Sequence, residues 1–175
     1  MTEVNRLKLK QLLQAEEQLF HHSHPKSYEL YQRARTSLQG GVPMLWMIRW
    51  AGSFPIFVEE AKGAHFTDVD GNSYIDFCLG DTGAMTGHSP EATVNAIIEQ
   101  IQKGITLMLP YEDVIWVGEE LQRRFKLPYW QFALTATDAN RFVLRMARML
   151  TGRPKILVFN YCYHGSVDEA FITLD

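Results

Sequence analysis

The sequence predicts an α/β fold, and three observations carry that prediction. Residues 129–165 read as an apolar run, a sharp turn, an amphipathic helix, a second apolar run and an aromatic-His-Gly loop, the order of a strand–helix–strand unit. Residues 55–77 read as short alternating runs joined by tight turns, a small β-meander. The remaining segments place apolar residues at helical spacing. The chain has 175 residues, 46% hydrophobic and 21% charged, which suffices for a packed core. A net charge of −3 gives no global attraction to nucleic acid or acidic membranes. No apolar run reaches the ~20 residues that span a bilayer. Cys78 and Cys162 share no metal-binding or redox spacing and are expected as free thiols in a reducing compartment. The polar N-terminus lacks an apolar signal core, so a cytoplasmic location is expected.

In chain order, residues 3–20 are expected to form an amphipathic helix with Val4, Leu7, Leu12, Leu13, Leu19 and Phe20 on its apolar side. His21, His22 and His24 follow. With no carboxylate or Cys at a ligand spacing, they read as a solvated helix end rather than a metal site. Residues 26–38 are expected as a second helix, stopped by Gly40-Gly41. Met44-Leu45-Trp46-Met47-Ile48-Arg49-Trp50 is unusually apolar for a loop. It either packs under the domain or lines a substrate pocket with Arg49 as its only charge. In the meander, Phe57–Glu59, Ala64–Phe66 and Tyr74–Phe77 are the strand runs, and Asp70-Gly71-Asn72 is the hairpin turn. The same stretch fails as a calcium loop, because its Gly comes too early and no Glu closes it. Glycines at 80, 83 and 87 leave room for a tight path that ends at His88, read as a helix-capping or backbone-bonding residue. Ser89-Pro90-Glu91 signals a helix start, with Ser89 as the N-cap. Val94, Ile97, Ile98 and Ile101 form its apolar face. A further helix spans about 112–126, and a short strand, Tyr129–Leu134, leads to the turn.

That turn, Thr135-Ala136-Thr137-Asp138-Ala139-Asn140, has two readings. Thr135 and Asp138 fit a variant capping box, which needs no ligand. Equally, free N–H groups at a helix start, small side chains and two hydroxyls make a cradle for a phosphate at the C-terminal end of a strand. The helix over 138–150 is expected to bury Phe142, Val143, Met146 and Leu150, with Arg141, Arg145 and Arg148 on its other side as a solvated or interface stripe. Ile156-Leu157-Val158-Phe159 reads as a parallel strand covered on both faces.

The turn, the following Thr151-Gly152-Arg153 and the Tyr163-His164-Gly165 loop resemble, in order and spacing, motifs of the class-III aminotransferases, in particular members similar to glutamate-1-semialdehyde aminomutase. The resemblance runs from about Gly40 to the end of the chain. It implies the type I fold of enzymes that use pyridoxal 5'-phosphate (PLP), here in part. Residues 1–80 would be an N-terminal segment of helices and meander, and residues 81–175 the start of a mainly parallel-sheet large domain. It also implies roles. Thr135, Ala136 and Thr137 would hold the cofactor phosphate, and Tyr163 would stack on its ring with His164 and Gly165 in support. Arg49 and Trp46 would contact substrate, and the Gly80–His88 turn would border the site at a dimer interface. Where the family has Ser-Gly and Glu, this chain has Thr135-Ala136 and Asp138, and Arg49 falls two places late. The implied activity is transfer of an amino group between an amine or amino acid and an oxo acid by a homodimer, with no nucleic-acid or membrane partner. Elimination of ammonia or relocation of the amino group is the alternative on the same scaffold. A phosphate-ligand-binding α/β module without catalysis is the reading from a different class. None of the lysines, at 8, 10, 26, 62, 103, 126 and 155, stands where the family places its Schiff-base lysine, so no catalytic residue is assigned and the chain reads as the N-terminal part of a larger enzyme.

Overall fold

The computed structural model describes residues 4–49, 52–168 and 171. Trp50 and the Ile172–Asp175 ending lie outside the described residues, as does position 3 at the expected start of the first helix. The chain divides into two compact units, Met1–Thr106 and Leu107–Asp175.

The first unit opens with two helices, α1 (Arg6–Ser23) and α2 (Pro25–Ala34). Asn5 sets the start of α1, its Oδ1 accepting from the Lys8 N–H at 3.0 Å. Pro25, with its fixed φ and no N–H, suits the first position of α2. The expected extension of α2 to residue 38 does not form. Past Ala34 the N–H groups of Thr36 and Ser37 bond three residues back, to Arg33 and Ala34, and the helix tightens out. Two short 3₁₀ turns follow, at Gln39–Gly41 and Leu45–Arg49.

The meander is a three-stranded antiparallel sheet, β1 (Val58–Lys62), β2 (His65–Asp68) and β3 (Ser73–Ile75), in sequence order. A bulge between Val58 and Glu60 shifts the β1–β2 register, and Phe66 stacks on Tyr74 across β2–β3 with ring centroids 4.8 Å apart. An aromatic cluster closes the core of this unit. Phe54, 3% exposed, lies 4.8 Å from Phe20, 5.0 Å from His21 and 5.1 Å from Tyr28, ring to ring. Full burial of one such ring contributes roughly 1.5–3 kcal/mol.

Helix α3 (Glu91–Lys103) completes the unit. Its N-cap is Pro90, with no side-chain cap, so the expected role of Ser89 is corrected. Ser89 sits at φ 49, and its hydroxyl donates to the Ala61 carbonyl at 3.0 Å. That hydroxyl anchors the chain to β1 and is not available to the helix.

The second unit contains α4 (Asp113–Phe125) and α5 (Ala136–Thr151). Lys126 and Gly152 end them in the left-handed conformation. Glu120 binds Arg123 and Arg124 at 2.6–2.7 Å, which pulls its carboxyl down to about 2. The runs 129–134 and 156–159, expected as strands, are not paired in a ladder among the described residues. A strand is defined by its neighbour, and neither run meets one in these residues. Leu134 is fully exposed and Leu157 is 87% exposed, so the surfaces that a covered sheet would hide are open.

Candidate functional site

The start of α5 is built by Thr135. Its backbone is extended, at φ −137 and ψ 155, and its Oγ1 accepts from the Asp138 N–H at 3.1 Å. The Thr135 hydroxyl donates in turn to Asp138 Oδ2 at 2.8 Å. Asp is too short to reach back to the backbone N–H of the cap as Glu does in a capping box, and it takes the hydroxyl proton instead. The carboxylate is thereby engaged at its own helix terminus. The N–H groups of Ala136 and Thr137 form no hydrogen bond among the described residues, as the first turn of a helix dictates.

The loop after residue 159 is fastened to this turn at two points. Thr137 Oγ1 accepts from the Ser166 N–H at 3.2 Å, and Asn140 Nδ2 donates to the His164 carbonyl at 2.8 Å. Gly165 lies between these bonds, buried, at φ +91. A Cβ there would stand 2.6 Å from Thr137 Oγ1 and 2.9 Å from Thr137 Cα, so only glycine allows so close an approach. The structure thus brings together six of the predicted residues in one place: Thr135, the cap, with Ala136, Thr137, Tyr163, His164 and Gly165.

This geometry fits a phosphate. Two unused backbone N–H groups, the Thr137 hydroxyl and the positive end of a helix of 16 residues converge where small side chains leave access. Tyr163 is 75% exposed, its hydroxyl 3.3 Å from Ser166 Oγ, so a face of its ring is available to a flat partner. His164 Nε2 is buried without a hydrogen-bond partner among the described residues, a cost that a ligand or further polar group would relieve.

The other two predicted residues lie in the first unit. Trp46 and Arg49 line a pocket of about 690 Å³ with Val42, Pro43, Ile56 and Phe57 among its walls. Arg49 forms no hydrogen bond or ion pair among the described residues.

Three buried or half-buried groups escaped the sequence reading. His24 is not solvated: it is 7% exposed, and its Nε2 lies 2.6 Å from the Tyr74 hydroxyl and 3.4 Å from Asp68 Oδ2. Asp68, wholly buried, accepts from the Asp70 and Asn72 N–H groups, the Asn72 amide and the Tyr74 hydroxyl. Burial pushes its carboxyl up, but these donors outweigh burial and hold it below the usual range. His88 does not cap a helix with its ring. Nε2 pairs with Asp76 Oδ2 at 2.6 Å, while Asp76 also accepts from the N–H groups of Cys78, Leu79 and Gly80. The Asx-like run Asp76-x-Cys78-Leu79-Gly80 was the available signal for Asp76. Nothing local points to His88. Among the described residues no three His, Cys, Asp or Glu side chains gather as metal ligands.

Known proteins resemble this chain in sequence and in fold. The sequence pattern of the class-III aminotransferases matches residues 46–173. A glutamate-1-semialdehyde 2,1-aminomutase of Methanocaldococcus jannaschii is 36% identical over 148 residues, 84% of this chain and 34% of its own. The crystal structure of a glutamate-1-semialdehyde-aminomutase from Pseudomonas aeruginosa PAO1 superposes with a TM-score of 0.91 at 50% identity, over 99% of this chain and 38% of that one. A form of that protein has been solved in complex with PMP. A β-phenylalanine aminotransferase from Variovorax paradoxus superposes with a TM-score of 0.83 at 29% identity, over 90% of this chain and 36% of that one. The chain therefore spans about a third of the length of the curated relatives it matches.

Proposed function

The chain belongs to the class-III aminotransferases, PLP-dependent enzymes of fold type I, and from that premise we propose that the protein moves an amino group between an amine or amino acid and an oxo acid. The donor carbon loses its amino group and becomes a carbonyl, and the acceptor carbonyl becomes the new amine. The observation that supports this reading is the fastening of the Tyr163–Gly165 loop to the first turn of α5 through Thr137 and Asn140.

In this reading the N–H groups of Ala136 and Thr137 and the Thr137 hydroxyl hold the cofactor phosphate. Thr135 fixes the turn that aims them. Tyr163 covers the cofactor ring, His164 supports it and Gly165 lets the loop close over Thr137. Bound there, PLP supplies the electron sink that loosens bonds at the amino-bearing carbon. Arg49 takes the substrate carboxylate and Trp46 walls its path. We further propose that the protein works as a homodimer. Apolar side chains such as Ile97, Ile98 and Ile101 on α3 stand half exposed, which suits burial on assembly.

A second reading, relocation of the amino group within one molecule, is favoured by the names of the 36% and 50% identical relatives. Product analysis with a ¹⁵N-labelled donor on the native-length protein tests both. Label in a new amino acid made from the oxo acid supports transfer. Label retained in a rearranged donor supports relocation. Label in neither product overturns both.

A further inference from the structure

We propose that the pocket around Trp46 and Arg49 is built for acids with one carboxylate and an aromatic or long aliphatic body, and that such monocarboxylates, rather than dicarboxylates or their semialdehydes, are the protein's substrates. This rests on the amino-transfer reading above for the reaction, but on the pocket alone for the substrate class.

The first argument is the lining. Of the eleven described residues that line the pocket, Arg49 is the only one that carries a charge, and Trp46 is the only other with a polar side-chain atom. Pro43 and Pro55, also in the wall, have no N–H to offer. A carboxylate entering the pocket meets one guanidinium, which suits a single bidentate pair. A second carboxylate, an aldehyde or a hydroxyl further along the substrate would leave water for a surface of Val42, Met47, Ile56 and Phe57. A buried polar group without a partner is costly, and such a wall selects against it.

The second argument is local geometry. Leu45–Arg49 is a 3₁₀ turn, in which side chains three apart eclipse one another. Trp46 and Arg49 are three apart, so the indole and the guanidinium share one side of the turn. A carboxylate held by Arg49 therefore places the adjoining carbon chain against an aromatic wall.

The third argument is size. At about 690 Å³ the pocket falls inside the range of roughly 300–1,000 Å³ typical of small-molecule sites. That volume accommodates a phenyl ring or a chain of six or more carbons, and a short polar acid would leave most of its apolar wall wetted.

The test is made on the native-length holoenzyme, by titration calorimetry and by steady-state kinetics in parallel. The probes are phenylpyruvate and 2-oxo-octanoate against 2-oxoglutarate and succinic semialdehyde. The expected result is at least about tenfold tighter binding and higher kcat/KM for the first two, the scale on which apolar pockets discriminate. Arg49→Met should weaken binding of phenylpyruvate about 10- to 100-fold, the loss of a hydrogen-bonded charge partner, with a raised KM and little change in kcat. Equal or tighter binding of 2-oxoglutarate overturns the inference. So does binding of none of the four, which would mean that another segment or a second copy of the chain fills the pocket. Amino transfer confined to dicarboxylates leaves the proposed reaction standing and the substrate class refuted. Tight binding of the apolar acids with no amino transfer to any of them does the reverse.

Discussion

Asp70, at the tip of the β2–β3 hairpin, caps helix α2: its Oδ1 accepts from the Lys26 N–H at 2.7 Å and its Oδ2 from the Ser27 N–H at 2.9 Å. The helix has no capping side chain of its own at His24, so a residue more than forty positions away supplies the cap. Ser27, wholly buried, passes the connection on, its Oγ accepting from the Phe57 N–H at 3.3 Å. Asp70→Ala should lower stability by about 1 kcal/mol, the usual cost of a lost cap. Asp70→Asn should recover only part of it, since the amide oxygen replaces one of the two accepting oxygens and the amide nitrogen would face an N–H donor. Urea midpoints at pH 7 measure the difference, and an alanine variant with an unchanged midpoint would refute the capping role.

The Tyr74–Asp68 bond makes an alkaline prediction. Burial, and then the hydrogen bond and charge of Asp68, push the Tyr74 hydroxyl from 10.0 up to about 12. A group raised in the folded state adds stability that is fully present below its unfolded value and lost as pH rises through the folded one. Stability should therefore fall between about pH 10 and pH 12, and Tyr74→Phe should remove that limb of the curve. At pH 8 the same variant should lose about 1.5–3 kcal/mol, the range for a hydrogen bond to a charged group. Absorbance titration near 295 nm checks the first claim. A Tyr74 that ionises with the exposed tyrosines contradicts it.

What the sequence disclosed, and what it hid, follows from the range of the forces involved. Helices α1, α3, α4 and α5 were legible because apolar spacing, and at α5 the cap Thr135, are properties of ten to twenty neighbouring residues. Asp70-Gly71-Asn72 was legible as a hairpin for the same reason. The turn at Thr135–Asn140 and the Tyr163–Gly165 loop were legible as a pair only through their motifs. The bonds that join them, Thr137 to Ser166 and Asn140 to His164, run between residues 24 and 29 apart. His24 was misread because its partner Tyr74 is 50 residues away, and the ring of His88 because nothing in the Asx-like run at Asp76 points to a partner twelve residues on. The runs 129–134 and 156–159 have strand composition, but pairing depends on neighbours that composition does not supply.

The Asp76–His88 pair governs acid behaviour of the glycine-rich loop. The His88 hydrogen bond holds the Asp76 carboxyl below its ordinary 3.8. Partial burial opposes this, and the N–H groups of Cys78, Leu79 and Gly80 reinforce it. A depressed carboxyl contributes stability that is present above pH 3.8 and lost as pH falls through the lower folded value. The loop it holds carries Leu79, Asp81 and Thr82 at positive φ, conformations that persist only when their surroundings enforce them. Asp76→Asn should therefore destabilise at pH 7, and its deficit should shrink as pH drops below about 4. Urea midpoints at pH 7, 5 and 3 for both proteins supply the comparison. A deficit that stays constant across the three would rule out the pair as the cause.

Gly165 offers the sharpest test of the phosphate cradle. Its φ of +91 disfavours any side chain, and an added Cβ would lie 2.6 Å from Thr137 Oγ1. That oxygen is the atom that both fastens the loop, through the Ser166 N–H, and stands ready to donate to an anion. Gly165→Ala must push the loop away from α5 or turn the Thr137 hydroxyl aside, and either movement spoils the cradle. The strain alone is of order 1–3 kcal/mol. The expected outcome is a PLP dissociation constant raised about tenfold or more in equilibrium dialysis, with the far-UV circular dichroism unchanged. Thr137→Val removes the fastening bond from the Ser166 N–H and the donor for an anion together, while leaving position 165 a glycine. If Thr137→Val weakens cofactor binding as much as Gly165→Ala does, Thr137 Oγ1 is the atom through which both variants act. If Gly165→Ala binds PLP as tightly as the parent protein, the loop does not need to close on Thr137, and the cradle as described is wrong.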